Sequence, residues 1–126
     1  MDFKQSIDKY LNAVEKKDLA SLRKLIPAEG PISGLLVDGT VLEDVESFVA
    51  FHEDWFGTDG WGISHEVVSV EETSEMGFAV CEVSYFGKED NGDTYHIGMH
   101  SSYIMRNCDG KWLLVHQQQT ETMEEE

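Results

Sequence analysis

One histidine and one tyrosine set the chemical question in this chain of 126 residues. His52 falls on a helical apolar stripe with Val41, Val45, Phe48 and Trp55. Its imidazole titrates near neutral pH and could serve as a general base, although the same stripe suits a histidine packed in a core. Tyr10 lies on the apolar side of an amphipathic segment, where its phenol can donate a hydrogen bond or its ring can simply pack. His96 and His100 would share a metal if they were helical. On a strand they stand roughly 13 Å apart, beyond the reach of one ion. A zinc site would need His100 together with Glu82, two ligands at most. No metal or cofactor is expected, and no Ser-His-Asp arrangement can be read from the spacing. Cys81 sits in an alternating strand pattern and Cys108 in a turn. They form neither a disulfide framework nor a Cys-x-x-Cys knuckle, so two free thiols in the cytoplasm are expected.

The elements that must position these groups follow from hydrophobic period and capping residues. Phe3, Ile7, Tyr10, Leu11 and Val14 recur at helical spacing and predict a helix over residues 3–17. Asp18 is an N-cap for a second, short helix with Leu19, Leu22, Leu25 and Ile26 inward, which Pro27 ends. A short strand is expected at Leu35–Val37, then a turn at Asp38-Gly39. Thr40 with Glu43 reads as a capping box opening a third helix to about Phe56. Gly57, Gly60 and Gly62 suggest a flexible loop around Trp61. Everything beyond Ile63 reads as strand, in segments 64–72, 77–88, 94–107 and 111–121.

Two hairpin turns predict a register. Asp90-Asn91-Gly92 and Cys108-Asp109-Gly110 each fit a type I turn followed by a left-handed glycine. The first would pair Glu89 with Asp93, and the second Asn107 with Lys111. One sheet face then carries Ala79, Cys81, Val83 and Tyr85, then Ile97, Met99, Ser101, Tyr103 and Met105, then Leu113, Val115, Gln117 and Gln119. That face should meet the helices. With Tyr10, His52 and Trp55 it would bound a pocket, and the ligand-binding candidates are Tyr10, His52, Trp55, Tyr85, Met99, Ser101, Tyr103, Gln117 and Gln119. The other face carries Val80, Glu82 and Ser84, then His96, His100, Ser102 and Ile104, then Trp112, Leu114, His116, Gln118 and Thr120. Mixed apolar and polar, it suits a subunit interface, with Glu82, His100, Ser102, Ile104, Trp112, Leu114, His116 and Gln118 as candidates. Helix, helix, strand, helix and then a long meander make an α+β arrangement, in which three helices leave room for a cavity on a curved sheet.

Charge narrows the partners. Nine Lys/Arg against 25 Asp/Glu give −16, with pI ≈ 4.4. A field of that sign repels phosphate backbones and anionic lipid, so neither nucleic acid nor a membrane is an expected partner. Residues 1–24 are the exception, with six Lys/Arg against four Asp/Glu. That segment reads as a mildly basic helix on an acidic body or, more sharply, as a docking site for an acidic partner. The longest apolar runs are four residues, Phe48–Phe51 and Trp112–Val115, too short for a membrane span. The first residues lack a signal-peptide pattern. A single domain over residues 1–121 with an acidic tail at 122–126 is expected.

Asp109-Gly110-Lys111-Trp112, then Val115-His116 and Thr120, together with Tyr10, Asp18-Leu19 and Gly39, resemble the SnoaL-like branch of the nuclear transport factor 2-like superfamily. That branch includes the association domain of calcium/calmodulin-dependent kinase II. The pattern covers residues 3–121, with Gln118 and Thr120 where the branch carries His and Ser. The resemblance implies a cone-shaped α+β roll, three N-terminal helices packed on a curved, mostly antiparallel sheet. It also implies a pocket between them and, often, a homodimer through the outer face. For the superfamily's ketosteroid isomerases it implies a pocket tyrosine, at Tyr10, and a carboxylate base, whose position here is Gly34. It further implies a second acid, at Ser101 or Ser102. The association domain's carboxylate-holding arginines correspond to Tyr103 and Gln119. The expectation is therefore a homodimer that binds a small neutral molecule without assignable catalysis. The alternatives are an isomerase, cyclase or dehydratase using His52 and Tyr10, or a homo-oligomeric assembly module.

Overall fold

Asp2 opens the first helix. Its carboxylate accepts the Gln5 N–H at 2.8 Å, and Gln5 Oε1 accepts the Asp2 N–H at 3.0 Å. This reciprocal cap starts α1 (Phe3–Glu15) in the computed structural model, which describes residues 1–89 and 91–122. Phe3, Ile7, Tyr10, Leu11 and Val14 are buried along one stripe, as the spacing predicts. The chain reverses at Lys17, whose φ is 57°, and Asp18 caps α2 (Leu19–Arg23) by accepting the Ser21 N–H. The expected acidic tail lies, apart from Thr122, outside the described residues. Among the described residues no helix is long and apolar enough to cross a membrane.

The third helix starts later than its sequence suggests. Val41 and Leu42 form β2, which pairs with β1 (Ser33–Leu35) as a hairpin around Asp38-Gly39. The Leu36 N–H donates to the Thr40 carbonyl at 2.9 Å and closes that turn. A β-branched Val41 with a strand beside it favours the ladder over a helix start. Asp44, with Ser47, supplies the cap instead, and α3 runs Val45–Phe56. The expected strand at Leu35–Val37 is likewise displaced to Ser33–Leu35.

The remaining strands are β3 (Gly62–Glu72), β4 (Met76–Lys88), β5 (Thr94–Cys108) and β6 (Lys111–Glu121). The sheet order is β2-β1-β6-β5-β4-β3, antiparallel except where β1 runs parallel to β6. The first hairpin follows expectation, with the Glu89 N–H donating to the Asp93 carbonyl at 2.7 Å. Glu82 therefore faces His100, and Val80 faces Ser102.

The second hairpin does not. Cys108 pairs with Lys111, and Asp109 and Gly110 alone form the loop, with φ of 55° and 88°. Two successive left-handed residues make a type I′ turn, whose twist suits the flanking strands better than the longer loop. A β-bulge follows. Met105 pairs with Leu114 but Ile104 with His116, leaving Val115 as the extra residue. The turn moves β6 by one residue and the bulge moves it again. His100 thus faces Thr120 and Ser102 faces Gln118, where the sequence suggested Gln118 and His116.

These shifts correct part of the face assignment. Trp112 and Leu114, expected on the outer face, point into the core and are 7% and 0% exposed. Leu113, expected inside, instead pairs with the exposed Arg106. Beyond the bulge the original parity returns, so Gln117 points inward and His116 and Gln118 lie on the outer face with Glu82, His100, Ser102 and Ile104.

Glycines on β3 and β4 sit where neighbouring rings leave no room for a side chain. A Cβ at Gly77 would stand 2.8 Å from the ring of Phe3, which is itself wholly buried against Trp112. A Cβ at Gly62 would collide with the Phe86 ring, but Phe86 is 51% exposed and free to swing. Gly77→Ala should therefore cost roughly 1–3 kcal/mol of unfolding free energy, as overpacking does. Gly62→Ala should stay within about 0.5 kcal/mol of wild type. Urea unfolding of the two variants checks the contrast.

Candidate binding site

The sheet and α3 leave a cavity of about 240 Å³ at one mouth of the fold. Its lining joins Trp55 and Phe51 from α3 to Tyr85, Ile97, Met99 and Gln119 from the sheet. Leu36, Val37 and Asp38, at the β1–β2 turn, close the remaining side. Trp55 stacks on Trp61 at 4.4 Å between centroids and 12° between planes, and Trp61 stacks on Tyr85 at 5.9 Å. The Trp61 indole N–H donates to the Trp55 carbonyl at 3.1 Å, and the Lys17 ammonium sits 4.2 Å over its ring. Trp61, expected in a flexible loop, is instead a buried brace for the cavity wall. Asp38 is the one charged residue of the lining. Its carboxylate accepts the Thr40 N–H at 2.9 Å, and that turn hydrogen bonding holds its pKa below the usual carboxylate value.

Four of the nine sequence candidates, Trp55, Tyr85, Met99 and Gln119, line this cavity. Ser101, Tyr103, Gln117 and Tyr10 lie one pleat step deeper and are buried. Gln119 pairs with Ser101, and Gln117 with Tyr103. The Tyr10 hydroxyl donates to Gln117 Oε1 at 2.7 Å, and the Ser101 hydroxyl donates to the Tyr103 oxygen at 2.9 Å. The two tyrosine rings stand 5.7 Å apart. Burial pushes both phenols well above their usual pKa, so both remain protonated and neutral. The cluster's polar groups are turned to one another and close the base of the cavity.

His52 is outside the cavity lining. Its ring is 1% exposed and packs among Phe48, Phe51, Trp55 and Phe56. Nδ1 donates to the Phe48 carbonyl at 2.8 Å, one turn back along α3. Burial lowers its pKa to about 4 against that hydrogen bond, so the imidazole is neutral. It is a core histidine. His65 was missed in the sequence because the strand pattern around it is uneven. Its backbone N–H and its Nδ1 both reach Glu15 Oε2, at 3.0 and 2.9 Å, and tie β3 to the end of α1. The Cys81 thiol is buried and pushed up to about 11 by desolvation, too high for a nucleophile at neutral pH.

The SnoaL-like domain matches residues 4–122. The chain belongs to the SnoaL-like domain family. Its fold is shared with solved structures at low identity. A nuclear transport factor 2-like superfamily protein from Salmonella enterica has a TM-score of 0.79 at 16% identity, covering 95% of this chain and 88% of that one. A ketosteroid isomerase-like protein from Erwinia carotovora atroseptica has a TM-score of 0.77 at 12% identity, covering 96% and 94%. The CaMKII hub of S. rosetta has a TM-score of 0.75 at 13% identity, covering 94% and 93%. No curated protein matches. Helices on a mixed, mostly antiparallel six-stranded sheet are thus the SnoaL-like fold that the sequence suggested.

The sequence resemblance sets the isomerase base at Gly34 and the second acid at Ser101 or Ser102, and none of the three is acidic. Gly34 pairs with Gln117, the partner of the Tyr10 hydroxyl, so an acid there would face the phenol's acceptor. In its place the amide accepts the phenol proton and nothing ionises.

The buried His52 should register in stability. A histidine's ordinary pKa is about 6.5. With the folded value near 4, the contribution is complete above pH 6.5 and is lost as the pH falls toward 4, because the unfolded chain takes the proton first. Between pH 7 and pH 5 wild type should lose about 2 kcal/mol more unfolding free energy than His52→Leu. Urea titrations of both proteins at the two pH values measure that difference.

Proposed function

We propose that this SnoaL-like domain is a homodimeric binding module that holds a small, uncharged, partly aromatic molecule in the mouth cavity and does no chemistry on it. The lining carries the reading. Its walls are Trp55, Tyr85, Phe51, Ile97 and Met99, with Gln119 as the free neutral polar group. Its carboxylate, Asp38, is already engaged in its own turn, and no cation faces it, so an anionic guest would be repelled. A cavity of about 240 Å³ suits a one- or two-ring molecule. The enzyme alternative would need a base beside the ligand. His52 spends Nδ1 on Phe48 and lies in the aromatic core, and Tyr10 is committed to Gln117.

The dimer part of the reading rests on the outer sheet face. Phe78 is 39% exposed and pairs with Ile104, and His100, Ser102, His116 and Gln118 surround them on neighbouring strands. Glu71, the β3 partner of Phe78, and Glu82, opposite His100, border the same patch. An apolar pair with a polar rim is the make-up of a self-matched surface. Trp112 and Leu114 are not part of it, being core residues.

Saturation-transfer NMR with 1-naphthol, and with benzoate as the anionic control, tests the cavity. We expect transfer to naphthol above benzoate, and its loss in Met99→Trp, where the new ring fills the space. Preference for benzoate, or undiminished transfer in Met99→Trp, would overturn the binding reading. Sedimentation tests the dimer separately. Wild type should run as a dimer and Ile104→Arg as a folded monomer, and if the variant sediments as wild type does, the interface is not this face.

A further inference from the structure

Four of the nine cations of this acidic chain converge on one groove. Lys9, Lys16, Lys24 and Lys111 line a cleft of about 500 Å³ between α1, α2 and the β5–β6 hairpin. Residues 9, 12 and 13 of α1 and its C-cap Lys16 share one face beside the core stripe, so the helical period turns Lys9 and Lys16, with Asn12, toward the cleft. Lys24 enters from the end of α2 and Lys111 from the hairpin turn. All four are exposed. Among the described residues the ion pairs are Lys4–Asp8 and His65–Glu15, and neither uses these lysines. Asp18 is the one acid in the lining, and its carboxylate is occupied by the Ser21 N–H at 3.1 Å and the Ser21 hydroxyl at 2.6 Å. The cleft therefore holds a surplus of three positive charges (4 − 1), and the rest of the chain carries −19 (−16 − 3).

The cleft is also held in shape. The Leu114 N–H donates to the Leu25 carbonyl at 2.8 Å and fixes the hairpin to the end of α2. Phe3 packs on Trp112 at 5.3 Å and fixes the hairpin to α1. The Asp18 N–H donates to the Ala13 carbonyl at 2.8 Å and fixes α1 to α2. Each wall is thus tied to the next by a backbone bond or a ring contact. Asp18 offsets Lys24 in part, and an anion placed in the cleft would meet the remaining positive charge.

We propose that this groove is a second binding site, independent of the mouth cavity, for a small phosphorylated molecule bearing two or more phosphate charges. Lysine ammonium groups are compact point charges suited to phosphate, whereas planar carboxylates are best met by an arginine fork, and no arginine lines the cleft. Leu25 and Trp112 give the guest's organic part an apolar edge. A short polyanion can sit wholly inside the positive region. A nucleic acid would extend over the surrounding −19 and be repelled.

Isothermal titration of the full chain with sodium tripolyphosphate tests the site, with citrate and a double-stranded oligonucleotide as comparison arms. We expect saturable binding of one tripolyphosphate per chain, weakening as sodium chloride is raised. Lys16→Glu and Lys24→Glu should each weaken it by roughly tenfold, with unchanged circular dichroism. Lys88→Glu, at the far end of β4, should bind as wild type does. Absence of tripolyphosphate binding, or full binding by the Lys16→Glu, Lys24→Glu double variant, would overturn the site. Citrate binding as tight as tripolyphosphate would overturn the choice of phosphate, and tighter binding of the oligonucleotide would overturn the small-molecule assignment.

Discussion

A phenol shut away from water must find its hydrogen-bond partner in the protein, and Tyr10 finds Gln117, a residue 107 positions away. Much of the structure follows from how Gln117 comes to face inward. The strand that carries it also buries Trp112 and Leu114 at its other end, against Phe3 and the end of α2. Alternation alone forbids both, because 112 and 114 are even and 117 and 119 are odd. The bulge at Val115 resolves the conflict by changing the inward parity once, midway along β6. One end of the strand then completes an apolar core under α1 and α2. The other end delivers Gln117 to Tyr10 and Gln119 to the cavity. Val115 sits between Leu114 and Gln117, and its lost ladder position is the cost of serving two layers.

The helices were legible because each signal is local. The stripe from Phe3 to Val14 and the N-cap at Asp18 depend on neighbours within a turn or two, and both stand where the sequence put them. The third helix was less so, because Thr40 and Glu43 are a plausible cap until Val41 finds a strand to pair with, and that strand lies outside the local window. The last hairpin was the hardest. Asp109-Gly110 fits a two-residue loop and a three-residue loop equally well in sequence. The run Trp112-Leu113-Leu114-Val115 is apolar throughout, so no alternation exposes a one-residue error. The turn shifted the register by one, the bulge by one more, and the two displacements cancel in parity. Gln117 and Gln119 therefore face inward as alternation predicts, whereas Trp112 and Leu114 leave the outer face it predicts for the core.

The same polar cluster that organises β6 also decides what the mouth cavity can do. A pocket tyrosine becomes a catalytic donor only if its proton is offered to a guest. Here the Tyr10 proton goes to an amide and the Ser101 proton to Tyr103, both deeper than the lining. Burial raises the phenols' pKa and lowers that of His52, so each is fixed in its neutral form and none can shuttle a proton near pH 7. These buried ionisable groups serve packing. In the binding role proposed for the cavity, specificity would come from ring contacts and from Gln119.

Charge divides the molecule the other way. The mouth of the cavity carries Asp38, and beyond residue 24 the chain has three Lys/Arg, one of them the groove's Lys111, against twenty-one Asp/Glu, whereas the groove beside α1 collects four lysines. Lys111 and Trp112 lie at the start of β6, and Gln119 near its end, so the two concavities occupy opposite ends of one strand. At an ionic strength of about 0.1 M the screening length is only about 10 Å, shorter than that separation, which approaches 25 Å for eight strand residues. Each end therefore sets its own electrostatic preference with little influence from the other. A chain of strong net negative charge can in this way exclude anions from one cavity and still offer them a site elsewhere, because what a ligand meets is the local arrangement of charge and not its sum.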